Sequence, residues 1–292
     1  MNNLYQKYFL KSNIITLIII FFFSFFINYY YSSFGVFPID TFFHYDSASR
    51  ILQGEFPIRD FWIVSGLVID LIQSLFFKFI GVNWFAYIFH SSISNFLISL
   101  IIYHYFQSIK INKINSLLFT CCFSTLAYTV SGTPFVDHHA IFFLLASTVL
   151  IIKAIDSEKN YLWFFIVLFV FLSFLTKQVP AAYIILTQGV IISAYMFHVK
   201  KYSIIKYLIL SFLLIIFLTL TLLFLLNIEL KDFFIQYIHH PRSIGSSRFL
   251  NFELTLNGFF NDYKFIILPL ILNFIIKLNK YFKKNFQLSK KE

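Results

Sequence analysis

Charge is scarce in this chain: only 12% of its 292 residues are Asp, Glu, Lys or Arg, against 59% hydrophobic residues and a mean hydropathy of +0.78. Soluble domains carry about a quarter charged residues, so the scarcity excludes a soluble globule with a single anchor and predicts a polytopic membrane protein. Cysteine is scarcer still. The two present, Cys121 and Cys122, are neighbours inside an apolar run, which excludes a disulfide framework and a cysteine metal site. The Gly-rich phosphate loop of nucleotide-binding proteins is lacking, as are an internal repeat, a low-complexity linker and a soluble domain. The first apolar run continues to Tyr29-Tyr30-Tyr31 without a small-residue cleavage site. That run is therefore an uncleaved first span behind Lys7 and Lys11.

What is abundant is apolar and aromatic. Phe alone accounts for 43 residues, which suit lipid-facing bulk rather than a series of stacking sites. Runs of the length that crosses a bilayer fall near 13–31, 84–106, 116–133, 138–155, 161–176, 180–198, 205–227 and 263–279, predicting an all-α protein of eight transmembrane helices. A ninth run, 61–80, carries Gly66, Asp70, Gln73, Ser74 and Lys78 at three-to-four spacing. One polar stripe on a helix, and an Asp costing several kcal/mol at mid-bilayer, predict that it lies along the membrane in the first outer loop.

The net charge of +10 raises nucleic acid as a partner, but the lysines sit in short tracts between apolar runs, as membrane topology requires. With eight spans and the N-terminus inside, the inner segments sum to +12 and the outer ones to −2, satisfying the positive-inside rule. The chain is then one transmembrane domain with a first outer loop at 32–83, a late outer loop at 228–262 and a basic cytoplasmic tail at 280–292.

In that topology the chemically capable residues gather outside. The first loop supplies Asp40, His44, Asp46, Glu55 and Asp60, four of the thirteen acids within 39–60. Asp137, His138 and His139 stand at the mouth of a span, and Lys177 and Gln178 end another. The run 239–248, HHPRSIGSSR, holds Arg242 and Arg248 and reads as a flexible lid. A carboxylate partly desolvated at a membrane surface can serve as a general base, and Asp40, where the first span emerges, is the best fixed. The alternative for Asp40 and Asp137 is helix capping. Adjacent histidines on a helix point about 100° apart, so His138 and His139 make a poor chelating pair. Lys177 reads equally as a snorkelling side chain or a phosphate ligand. All four arginines, Arg50, Arg59, Arg242 and Arg248, are outside, where their planar forks suit phosphate oxygens.

The register Asp40-Thr41-x-x-His44-x-x-x-Ala48, then Gly54, Pro57-Ile58-Arg59-Asp60-Phe61, Gly66, Phe79-Ile80-Gly81, Asp137 and Leu175-Thr176-Lys177-Gln178, resembles the GT-C glycosyltransferases. These polytopic enzymes use polyprenyl-phosphate sugars and include the protein O-mannosyltransferases and the aminoarabinose transferase of lipid A. The resemblance covers about residues 10–260 through short motifs. It implies an inverting hexosyl or pentosyl transferase of the cell envelope, in a bacterial inner membrane, with both termini cytoplasmic. Its partners would be a polyprenyl-phosphate-linked sugar, a lipid or glycan acceptor and membrane lipids, with no nucleic acid. Asp40 would be the catalytic base and Asp137 the second acid near the donor phosphate or a metal. His44, Asp60, Asp137, His138, Lys177, Arg242 and Arg248 would be the donor-phosphate or acceptor contacts. Thr41 stands where the family commonly has Glu and His44 where it has Tyr, which leaves a divalent cation open as a cofactor and its ligands unassigned. The chain also ends after one further span, where many members continue. Two other functions compete: a surface-polysaccharide polymerase or ligase, and a non-enzymatic lipid or solute carrier.

Overall fold

The computed structural model describes residues 2–63, 65–128, 132–250 and 255–289; for residues 2–13, Pro38, 248–250 and 280–289 it describes the backbone alone. The described chain is helical throughout and falls into two compact units, Met1–Arg242 and Ser243–Glu292. In chain order the helices are α1 (Asn2–Tyr31), α2 (Pro38–Leu52), α3 (Leu67–Ile80), α4 (Trp84–Ser108), α5 (Lys113–Ala127), α6 (Val136–Ser157), α7 (Tyr161–Thr176), α8 (Gln178–Val199), α9 (Ile204–Leu225), α10 (Leu230–Phe234), α11 (His240–Leu250) and α12 (Leu256–Ser289). A π-helical turn, Ile235–His239, joins α10 to α11.

Among the described residues six helices are long and apolar enough to cross a membrane: Ile14–Tyr31, Trp84–Ser108, Val136–Ser157, Gln178–Val199, Ile204–Leu225 and Leu256–Asn279. The expected count of eight is therefore not reached on length. The runs at 116–133 and 161–176 fold as α5, of 15 residues, and α7, of 16 residues. At 1.5 Å per residue these reach about 22–24 Å, short of a hydrocarbon core of roughly 30 Å. Asn112 caps α5 by accepting from the amide of Asn115, and the helix stops at Ala127 although the apolar run goes on.

Seven helices of the first unit alternate in direction. At one end, Gln107 Nε2 donates to Ser116 Oγ (2.7 Å), and Lys201 Nζ pairs with Glu158 (2.8 Å) across the turns that follow α6 and α8. At the other end, the C-terminus of α1 meets the residues before α6, the Gly66 amide donates to Thr176 O (2.7 Å), and Arg59 Nη1 donates to Leu226 O (3.0 Å). Lys110, Lys113, Lys159, Lys200 and Lys201 thus lie opposite the end that carries α2, α3 and the acids of the first loop.

Between helices the packing uses short polar bridges. Asn95 Nδ2 donates to Asn28 Oδ1 and to Ser124 O (both 2.9 Å), Ser24 and Ser124 share a hydrogen bond (3.0 Å), and Ser173 Oγ donates to Ala140 O (2.9 Å). Apolar tails of lipid compete with apolar side chains, so such bonds and small residues hold membrane helices together. A dry apolar cluster of Leu162, Trp163, Ile166, Ile192 and Ile204 with Ile151 and Ala154 closes the lysine-bearing end.

The helix α3 is the largest departure from expectation. It is confined to 14 residues, about 21 Å, and does not reach across a bilayer. Its polar stripe, however, faces inward: Asp70, Gln73 and Ser74 are buried, while Leu71, Leu75 and Phe79 are exposed. The sequence expectation had this stripe at the headgroups. In lipid the rule of polar-out reverses, because apolar residues satisfy the outer surface and the polar ones find partners only in the protein. Helix α2 packs on the same face through Ala48, which is fully buried against Phe77, Ala86 and Tyr87.

The late segment also differs. Residues 235–250 form a π-turn and a helix, not a flexible lid. Pro241 follows directly on the π-turn inside an unbroken helical stretch, and the Tyr237 carbonyl one turn before it accepts from Gln178 Nε2 (3.0 Å).

Candidate functional site

Four helix N-termini meet at the end of the bundle opposite the lysines. The rings of Phe37 and Phe135 touch (centroids 5.8 Å apart), setting the start of α2 beside the start of α6. Gly66, which precedes α3, lies between His44 and Val136, and its amide is bonded to the last carbonyl of α7. Lys177, which opens α8, pairs with Asp137 in the first turn of α6 (2.7 Å). The positive ends of α2, α3, α6 and α8 therefore share one neighbourhood, which favours negative charge there.

Asp40 is exposed in the first turn of α2 and makes no hydrogen bond or ion pair among the described residues. It is the third helical residue, so the helix begins before it and it is not the cap. The cap position is Phe37, which has no side-chain acceptor. One turn further along the same face of α2, His44 is buried and its Nδ1 sits 2.7 Å from Asp70 Oδ1. Asp70 is wholly buried. Its desolvation raises the carboxyl above the ordinary range, and His44 pulls it partly back. Gly66 makes this possible: at φ +94 it adopts a conformation that side chains avoid, and a Cβ there would fall 2.3 Å from His44 Cε1.

Beneath the pair, Gln73 Oε1 is 2.9 Å from His90 Nδ1, His90 Nε2 is 3.3 Å from His139 Nε2, and Tyr128 Oη lies 3.0 Å from His139 Nδ1. His90 therefore makes helix–helix hydrogen bonds to α3 and α6. His138 is half-buried with its ring against Tyr128 and Phe135, and its buried Nδ1 has no hydrogen-bond partner among the described residues.

The structure separates the remaining sequence candidates. Asp60 is held by its neighbour Arg59, through both carboxylate oxygens, and by the Phe56 amide (2.8 Å). These bonds pull its carboxyl below the usual carboxylate range. Arg59 also donates to Gly54 O, and Arg50 pairs with Glu55 (2.6 Å) over the Phe61 ring. Asp60, Arg59, Arg50 and Glu55 thus build the loop that leads to α3. Asp137 and Lys177, expected as separate phosphate or metal contacts, are each other's partners. Arg242 is exposed in α11 near the Trp62–His240 ring contact (5.4 Å). The Arg248 side chain lies outside the described residues. Among the described residues no group of three His, Cys, Asp or Glu could hold a metal ion.

One cavity adjoins this end and a second continues from it toward the middle of the bundle. One of about 340 Å³ lies between the 56–58 loop, α3, α7, α9 and Phe233; another of about 470 Å³ lies between α7, α8 and α9. Both are lined almost wholly by apolar side chains and share Phe171 and Ile215, so they follow one another along α7.

Sequence reasoning passed over Asp70 as a site residue, and the pairing of His90 with His139. The available signal was the run's polar spacing, which marks a face without telling which way it turns. Comparison with protein-family models, with curated proteins and with solved structures finds no match for the chain.

Proposed function

We propose that this integral membrane protein is a glycosyltransferase that moves a sugar from a polyprenyl-phosphate donor to an acceptor on the extracytoplasmic face. The observation that carries the proposal is the pair of apolar cavities along α7, which end at Leu226, Leu175 and Phe56 beside the turn that holds Lys177. A long isoprenoid tail fits such a groove, and its phosphate would then meet Lys177, Asp137 and the gathered helix N-termini. Asp40 stands at this end with a free carboxylate. In the proposed reaction it takes the proton from the acceptor hydroxyl or amine, the acceptor attacks the anomeric carbon, and lipid phosphate leaves. The positive helix ends and Lys177 stabilise that departing charge. The lysines at the opposite end of the bundle support an orientation with this face outward and both termini in the cytoplasm. Eight crossings fit this orientation if α5 and α7 span a locally thinned core.

The test is Asp40→Asn in membranes supplied with labelled polyprenyl-phosphate sugars. Transfer should be lost while the inserted protein and its unfolding midpoint are unchanged. Wild-type transfer by that variant would remove Asp40 from the mechanism.

A second function, a solute or lipid carrier, is favoured by one observation: Asp70, His44, His90 and His139 are buried in the protein interior, where carriers keep ionisable groups. Counterflow across proteoliposomes that persists in Asp40→Asn would favour it over transfer.

A further inference from the structure

We infer that the two apolar cavities measure the tail of the lipid donor, with Phe171, Ile215 and Gly189 fixing how many isoprene units are gripped. The inference rests on the polyprenyl-phosphate reading above and adds a length limit to it. The outer cavity, about 340 Å³, is bounded by α3, α7, α9 and the 56–58 loop; the inner, about 470 Å³, by α7, α8 and α9. Phe171 and Ile215 line both and so flank the passage between them. The inner cavity has a floor, since Ile166 and Ile192 line it and also belong to the buried cluster around Trp163.

The lining selects a hydrocarbon chain. Its two polar side chains are satisfied elsewhere: Thr219 donates to Ile215 O within α9, and the Gln188 amide turns to Ser147 and Thr148 of α6. Above the outer cavity stand Lys177 and the gathered helix N-termini, so a chain with an anionic head matches both ends. Room in the inner cavity depends on one residue. Helix α8 lines it with Ile185, Gln188, Gly189 and Ile192, a single face at three-to-four spacing, and Gly189 is the gap in that face. A Cβ there would meet no atom within 4 Å.

Helix α9 supplies the ruler. It lines the outer cavity from Ile215 to Leu226, about 16 Å at 1.5 Å per residue, and the inner from Leu208 to Ile215, about 10 Å. An extended chain advances roughly 3.3–3.6 Å per three bonds, so an isoprene unit of four bonds covers about 4.5 Å. The outer cavity then holds three to four units and the inner about two more. Tails beyond about six units extend past the site into lipid and gain nothing further.

The test measures binding of radiolabelled polyprenyl phosphates of two, four, six and eleven isoprene units to the full chain in lipid nanodiscs. Transfer is assayed in parallel with the matching sugar-linked compounds. A tail leaving lipid for protein gains packing rather than dehydration, so the expected rise from four to six units is about tenfold, with none from six to eleven. Gly189→Leu, which fills the gap and improves helix propensity, should bring six-unit affinity down to the four-unit value without lowering the unfolding midpoint. Equal affinity at all lengths would overturn the inference, as would a rise continuing to eleven units or a step that survives Gly189→Leu. A length step in binding without any sugar transfer would keep the groove and remove the transferase. Transfer that is indifferent to length would keep the transferase and remove the selection, and binding at no length would remove both.

Discussion

Replacing Gly66 by Ala tests the geometry beneath Asp40 most directly. The added methyl would lie 2.3 Å from His44 Cε1, 2.8 Å from Nδ1 and 3.2 Å from Val136 Cγ1, on a backbone at φ +94. Left-handed backbone costs a non-glycine residue about 1–2 kcal/mol. Forcing an extra methyl into a filled site adds about 1–3 kcal/mol when the neighbours shift. If His44 instead swings away, Asp70 is left buried and unpaired, at about 3–5 kcal/mol, so the packing strain is the cheaper response. The expected loss is therefore about 2–5 kcal/mol. Gly54→Ala supplies the comparison: its φ is +93, yet no atom lies within 4 Å of the added carbon. It should lose only the backbone part, about 1–2 kcal/mol. Denaturant titration of both variants in mild detergent, followed by tryptophan fluorescence, reads the difference. Equal losses in the two variants would refute the close approach of Gly66 to His44, and a loss under about 1 kcal/mol in Gly66→Ala would refute both terms.

Cysteine introduced at Asp46 should react with an impermeant reagent from the side opposite to cysteine at Asn112, both positions being exposed at opposite ends of the bundle; labelling of both from one side would break the alternation of α1 and α4–α9. The Arg59–Asp60 link predicts a pH dependence confined to acid. The folded carboxyl lies below its unfolded value, so its contribution is present above the unfolded pKa and lost as pH falls through the folded one. Asp60→Asn should flatten that acid limb of the unfolding midpoint, and an unchanged limb would assign it to another carboxylate.

The helices were legible from apolar run length, and their ends from single residues such as Asn83, which caps α4 through the Ala86 amide. Chain reversal at the lysine tracts was legible too, because those tracts mark one end of the bundle. What could not be read was facing. The spacing of Asp70 and Gln73 identifies a stripe, but whether it meets headgroups or protein depends on α2 and α4 packing over it. Nor does sequence pair residues 49 apart such as His90 and His139, or reveal that Asp137 and Lys177, taken singly as ligands, satisfy each other. The 239–248 run reads as a flexible lid because Gly, Ser and Pro disfavour helices, whereas it continues the helical stretch that begins at α10.

The inward stripe of α3 also constrains the order in which the protein can be assembled. A helix of 14 residues with an Asp and a Gln on one face has no stable place in lipid alone, and α4 emerges from the ribosome only after α3 is complete. Until α4 arrives with Tyr87 and His90, the carboxylate of Asp70 has only α2 to shield it. The segment must therefore wait at the membrane surface and fold inward late, once α4 and α6 are inserted. A protease added during synthesis should cut near 67–80 in chains stalled with α3 outside the ribosome and α4 still within its tunnel, and fail to cut there in chains stalled after α6 has left the tunnel.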